Sequence, residues 1–323
     1  MLIHSNIATQ HSHHMSFHNP TILRKLGSFI GGIVGDAYGS SYEFKTRDKY
    51  TVSRDMEWNV FGLPPGSFTD DGSMMLCLAA SLVEKGGFDA VDQMRRYVTW
   101  FREGYMSSSG NCFDIGITTA RALRDFSISE TEWIQNGKRE PLNPYTGSVS
   151  ADSSGNGGIM RLAPVPILYS EDLLKAREMS KLSSKTTHGS VECLEAAALM
   201  SDVIVTYING GEKDVALDEN NYGCESVKQL ARKVFLSKDR PEIETTGYVI
   251  HTLEAALWAF YKTSSFEEGM VLLAGMGCDV DTVCCVYGQI AGAYYGYNEI
   301  PDRWKNNLQR MDLICSVATN LCM

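Results

Sequence analysis

Gly27-Ser28-Phe29-Ile30-Gly31-Gly32-Ile33-Val34-Gly35-Asp36-Ala37-Tyr38-Gly39 decides between two architectures. A glycine-rich run of this kind invites a strand–turn–helix reading, with the glycines cradling a dinucleotide. No apolar strand precedes it, and Gly27, Gly31, Gly35 and Gly39 recur every four residues. That is helix spacing, which puts all four on one face, so the dinucleotide reading is rejected. Glycine inside a helix costs roughly 1 kcal/mol per residue against alanine. Close approach of a second helix is the gain that offsets it. Gly288, Gly292 and Gly296 carry the same spacing near the other end of the chain, so the two segments are expected to pack together.

Outward from this stretch the apolar pattern stays helical. Met75, Ala79, Leu82 and Val83 form one stripe, Val249, Leu253, Leu257 and Phe260 a second, and Val283, Tyr287, Ile290 and Tyr294 a third. Residues 193–204 are apolar nearly all round, which predicts a central buried helix. Period-two alternation is scarce, and residues 165–169 are too short and proline-flanked to count as a strand. Polar stretches near 135–157 and 208–224 read as loops. There is no internal repeat. The expectation is one large all-α domain over residues 21–323, preceded by a disordered leader over 1–20 that holds five of the seven histidines.

The 323 residues carry 44% hydrophobic and 21% charged side chains, an ordinary globular composition, and a net charge of -10. That charge gives little attraction for nucleic-acid backbones or anionic membranes, so neither is expected as a partner. The nine cysteines include adjacent Cys284 and Cys285 and no CxxC pair, which suits free thiols in a reducing compartment. No apolar run is long enough to span a bilayer, and no signal-peptide pattern opens the chain. A cytoplasmic monomer is expected.

Thr69-Asp70-Asp71 and Asp279-Val280-Asp281-Thr282 each sit just before a predicted helix. Either cluster alone reads as a helix N-cap, because Thr and Asp oxygens satisfy the free backbone N–H groups there. A cap needs only one side chain, however, and each cluster holds more. Together they supply four carboxylates and two hydroxyls, the hard-oxygen set that suits Mg²⁺ or Mn²⁺. With no adjacent histidine or CxxC, zinc is disfavoured. If the clusters converge, a pair of cations would relieve the repulsion among them.

These motifs resemble, in order along nearly the whole chain, the ADP-ribosylglycohydrolases. The matching stretches are 31–39 with Glu43 downstream, Phe68-Thr69-Asp70-Asp71-Gly72-Ser73-Met74, Cys112-Phe113-Asp114-Ile115-Gly116, residues 155–164, Thr187-His188, 279–282 and 288–293. The resemblance implies an all-α orthogonal helical bundle that removes ADP-ribose from a protein side chain or small compound. It implies two Mg²⁺ or Mn²⁺ ions held by Thr69, Asp70, Asp71, Asp279, Asp281 and Thr282. It places Glu43 near the metals and the scissile bond. It matches Asp114 to an aspartate implicated in turnover in arginine-directed members. The chain departs from the family at Gly72, often threonine, and at Cys278, usually glycine. It departs again at Val280, usually smaller, and at Gly275, often asparagine.

The remaining candidates bind substrate. Gly155, Asn156 and Gly157 lie in a glycine-rich loop whose N–H groups suit a diphosphate, although a plain flexible loop has the same composition. Phe113, with Gly110 in the same polar loop, suits stacking on adenine or anchoring the loop. Asp114 suits proton transfer or capping of a helix starting at Ile115. His188, in a polar run, is assigned to ligand contact, His251 to packing and Cys278 to packing. The expected chemistry is hydrolysis at C1″ of ADP-ribose through an oxocarbenium-like transition state. The alternatives are a non-catalytic, crystallin-like ADP-ribose binder and a metal-dependent phosphohydrolase.

Overall fold

The computed structural model describes residues 19–323; the expected leader lies outside the described residues except for its last two positions. Those two open the fold rather than precede it. Asn19 accepts a hydrogen bond from the Thr21 N–H, and Pro20 occupies the first helical position, where its missing N–H costs nothing.

Helix α1 runs Pro20–Gly39, α2 Asp70–Lys85, α3 Ala90–Glu103 and α4 Ile117–Gln135. Then come α5 Pro164–Leu168, α6 Leu173–Lys185, α7 Val191–Ile208 and α8 Glu225–Ala231. The chain closes with α9 Val249–Lys262, α10 Phe266–Ala274, α11 Val280–Tyr295, α12 Asp302–Lys305 and α13 Met311–Cys322. The described residues form no strand; two isolated bridges join Ser148 to His188 and Gly155 to Tyr248. The protein is all-α, as its periodicity predicts. The stretch 165–169, set aside as a strand, is the short helix α5, entered through Pro164.

The expected glycine seam is the main axis of the fold. Helices α1 and α11 share the most extensive helix–helix interface. A Cβ on Gly31 would come 2.5 Å from the Gly288 carbonyl oxygen, and one on Gly39 would come 2.5 Å from the Asp281 Cα. Gly27 faces Gly292 in the same way. Backbones therefore touch where side chains would normally separate the axes by 8–10 Å. Gly296 departs from the stripe: it caps α11 at φ 86°. One continuous hydrophobic core receives side chains from both ends of the chain, and α7 lies within it, buried along almost its full length.

Five cysteines are buried (Cys77, Cys193, Cys284, Cys285, Cys322), and all nine are free. No helix among the described residues is long and apolar enough to cross a membrane.

Candidate active site

The α1–α11 seam fixes where the two acidic clusters meet. Asp36, near the end of α1, accepts from the Thr69 N–H at 3.0 and 2.9 Å, from the Thr69 hydroxyl at 2.8 Å and from the Gly72 N–H at 2.8 Å. The start of α2 is thus capped by a carboxylate from another helix. Thr69 makes no capping bond of its own, and neither does Asp279 at the start of α11. The oxygens of both clusters are therefore available for another purpose. Gly72 fits this arrangement, since a Cβ there would press on the Phe68 ring at 2.8 Å and on Asp36 Oδ2 at 3.0 Å.

After α1 the chain turns back so that Glu43 faces the α11 cluster. The Phe44 N–H donates to the Cys278 carbonyl, and the Cys278 N–H donates to the Lys45 carbonyl. Cys278 sits at φ 63°, the left-handed region glycine favours, which explains why glycine is usual at this position. Contrary to the packing assignment, Cys278 is exposed and lines the site cavity.

One oxygen each of Asp36, Asp71 and Asp281 lie within 4.8 Å of one another, and so do one each of Glu43, Asp279 and Asp281. Glu43 Oε2, Asp71 Oδ1 and Asp281 Oδ1 are buried and have no hydrogen-bond partner. Asp279 is positioned by the Asn156 amide, which donates to Asp279 Oδ2 at 2.6 Å and to the Thr252 hydroxyl at 2.9 Å. The Thr282 hydroxyl lies 3.4 Å from Asp279 Oδ1.

Burial pushes these acids up, and for all but Asp279, whose hydrogen bonds from Asn156 and Thr282 pull the other way, neighbouring carboxylates add to it. Asp70, Asp71 and Asp281 lie well above the usual range, and Asp279 is raised. Glu43 is pushed up to about 10, first by burial and then by the charges of Asp114, Asp279 and Asp71. Asp36 reaches about 7 against its own hydrogen bonds, and Asp114 about 6.

Beside this cluster lies a cavity of about 400 Å³, a volume typical of a small-molecule site; Asp36, Thr69 and Asp71 sit behind its wall. Its wall includes Glu43, Asp70, Asp114, Asp279, Asp281 and Thr282. Gly155, Asn156, Gly157 and His188 also line it, with Asn156 touching the acidic cluster through Asp279. No Lys or Arg lines it among the described residues.

Asp114 is not a cap: it sits at φ 50°, and α4 begins only at Ile117 behind Gly116. Freed from that role, its carboxylate lines the cavity. Gly110 and Phe113 lie outside the cavity wall. Phe113 packs at 5.4 Å on Phe61, which meets Phe44 edge-on at 6.4 Å, so the three rings form a string. Only Phe44, 69% exposed, reaches the cavity. His251 is a half-buried partner of Thr246 and Glu244, away from the site.

Sequence reasoning missed Asp36 and Phe44. Asp36 stood in the decisive stretch as the one charged residue of 27–39, and that was the available signal. Phe44 carried no pattern that marks an exposed aromatic.

The fold and site define a class: an all-helical protein whose two acidic helix starts converge on a polar cavity suited to a small ligand. The ADP-ribosylglycohydrolase family profile matches residues 19–323. The chain is 36% identical to ADP-ribosylarginine hydrolase Tri1 of Serratia proteamaculans, over 91% of this chain and 78% of that protein. It is 27% identical to ADP-ribosyl-[dinitrogen reductase] glycohydrolase of Rhodospirillum rubrum, over 88% of this chain and 90% of that one. A solved structure titled ADP-ribosylglycohydrolase-related protein complex superposes with a TM-score of 0.80 at 34% identity, covering 94% of this chain and 98% of its own. The chain belongs to the ADP-ribosylglycohydrolase family. It is a glycohydrolase acting on ADP-ribose linkages, with that family's all-α orthogonal bundle.

Proposed function

We propose that this glycohydrolase releases ADP-ribose from arginine, reversing mono-ADP-ribosylation of a protein, and that it works with two Mg²⁺ or Mn²⁺ ions. The observation that carries the reading is the trio of buried, unpartnered oxygens on Glu43, Asp71 and Asp281, two of whose residues, Glu43 and Asp281, line a cavity without a basic side chain. Buried carboxylates this crowded need protons or cations, and an all-oxygen donor set suits hard divalent ions. Thr69, Asp70, Asp71, Asp279, Asp281 and Thr282 would hold them, with Glu43 adjacent. Bound there, the ions supply fixed positive charge that binds sugar hydroxyls and lowers the pKa of water.

The protein's own groups do the rest. Asn156 holds Asp279, and Asp36 holds Thr69 and the start of α2, so the donor set is preorganised. The N–H groups of Gly155 and Asn156 donate to the Ser153 and Gly247 carbonyls, which leaves Gly157 and His188 as the donors of this wall for the diphosphate and ribose. Glu43 and Asp114 are the carboxylates placed to move protons to and from the attacking water and the leaving group as the bond at C1″ breaks. A cavity wall with carboxylates of Glu43, Asp70, Asp114, Asp279 and Asp281 and no Lys or Arg favours a cationic guanidinium leaving group. The arginine-directed relative at 36% identity supports the same linkage.

The test is incubation with Mg²⁺ and substrates linked through arginine, serine or glutamate. Free ADP-ribose from the arginine substrate is expected, its release abolished by chelator and reduced at least about 100-fold in Asp279→Asn and Asp70→Asn. Undiminished activity in both variants would refute the metal assignment. Preference for the serine substrate would refute the linkage. Release of AMP or phosphate would point to a phosphohydrolase instead.

A further inference from the structure

Arg161 is a buried cation with no carboxylate at salt-bridge distance among the described residues. It is 0% exposed and lies 4.8 Å from the Tyr97 ring centroid. Burying a charge without a counter-ion is costly, so its hydrogen bonds must be important to the fold or the site. One set goes to the Gly157 carbonyl at 2.6 Å, in the glycine-rich loop. The other reaches the Ser183 carbonyl and the Thr186 and Thr187 hydroxyls, the last at 2.7 Å. A single guanidinium thus ties together the two walls that flank His188.

The next link is the Thr187 hydroxyl, 2.9 Å from His188 Nδ1. Arg161 can only donate, so it occupies an acceptor position on that oxygen. The hydroxyl proton needs an acceptor, and His188 Nδ1 is the one at hand. Nδ1 is therefore unprotonated, and in the neutral ring the proton sits on Nε2. Burial and the Arg161 charge, in that order, hold the ring neutral, with its pKa lowered to about 3. Nε2 has no hydrogen-bond partner among the described residues, and the ring lies against Gly155 and Gly157 in the cavity wall. A Cβ on Gly157 would come 2.5 Å from the ring, so glycine there makes room for it.

We propose that Arg161 is a positioning residue: through Thr187 it fixes His188 as the neutral Nε2–H tautomer, a permanent hydrogen-bond donor aimed at a substrate oxygen. The donor's use rests on the reading of this cavity as the ADP-ribose site; the tautomer does not. A neutral donor binds phosphate or ribose oxygen with equal strength across the physiological pH range, and no second proton is available for acid catalysis. Its loss therefore weakens binding rather than turnover.

Two readouts test this. In protein labelled with ¹⁵N-histidine, the His188 ring, identified by its absence in His188→Gln, is expected to show the Nε2–H pattern, unchanged across neutral pH. Thr187→Val is expected to mix the tautomers and raise KM about tenfold with kcat within about twofold, and Thr187→Ser to restore both. Arg161→Lys is expected to mix the tautomers in the same way. An Nδ1–H or doubly protonated ring in the unsubstituted protein overturns the proposal, and that spectrum decides even if a variant fails to fold. Tautomers unchanged by Thr187→Val overturn it too. A His188 Nε2 signal that saturating ADP-ribose leaves unmoved, with the tautomer as expected, overturns the substrate contact and not the relay.

Discussion

Asp36 is the residue on which the site's geometry turns. Its carboxylate accepts from Thr69 N–H, Thr69 Oγ and Gly72 N–H, and so sets where Asp70 and Asp71 point. Asp36→Asn keeps the shape but turns one acceptor oxygen into a donor facing donors. The expected cost is about 1–3 kcal/mol of stability, and Mg²⁺ affinity should fall about 10- to 100-fold, as for other groups that orient metal ligands. Titration calorimetry with Mg²⁺ checks this, and unchanged affinity would show that Thr69 and Asp71 hold their positions without it. The sequence could not reveal the role, because nothing local distinguishes an aspartate that caps its own helix from one that caps a helix starting 34 residues later. The same blindness made Asp114 a candidate cap. Its left-handed φ and the late start of α4 are properties of the folded loop. The Thr and Asp clusters themselves were legible because they held more oxygen than capping uses.

At the scale of the element, the glycine seam was legible except for Gly296, since only helix spacing and a partner stripe explain glycine every fourth residue. Its consequence is quantitative. A Cβ on Gly288 or Gly292 would drive into the carbonyl of Gly31 or Gly27, both backbone atoms that cannot swing aside. Gly288→Ala and Gly292→Ala should each cost about 3 kcal/mol or more, read as a shift in denaturant midpoint, despite alanine's better helix propensity. Gly87→Ala is the control, with only an ordinary contact to the Tyr169 hydroxyl at 3.6 Å. If the seam variants match the control, α1 and α11 tolerate separation and the seam does not hold the site together. Gly39→Ala is the sharper case, because its Cβ would push on the Asp281 backbone, so Mg²⁺ binding should suffer together with stability. By contrast, α5 was illegible: five residues starting at Pro164 are too few to display a period, and only the surrounding core makes them a helix.

Across the whole molecule, the buried acids tie stability to pH and to cations. Asp114 at about 6 and Asp36 at about 7 are raised above their unfolded values, chiefly by burial. Groups shifted that way favour the folded state while protonated, and their contribution is lost as pH rises through the folded value. The metal-free protein should therefore lose stability from about pH 4 to about pH 7, overlapping the range where proteins are usually most stable. Divalent cations compete with those protons, so Mg²⁺ should raise the melting temperature little at the acid end and substantially at the alkaline end, releasing protons as it binds. Thermal melts with and without Mg²⁺ across that range read both slopes. Calorimetry in buffers of different ionisation enthalpy counts the protons released. Asp281→Asn, which removes a shared member of both carboxylate groups, should flatten the metal-free slope and abolish the Mg²⁺ gain together. A metal-free protein that grows steadily more stable from about pH 4 to about pH 7 would mean that the acids are already compensated by groups within the fold. The cavity would then need no cation, and the metal reading of the site would fall with the pH prediction.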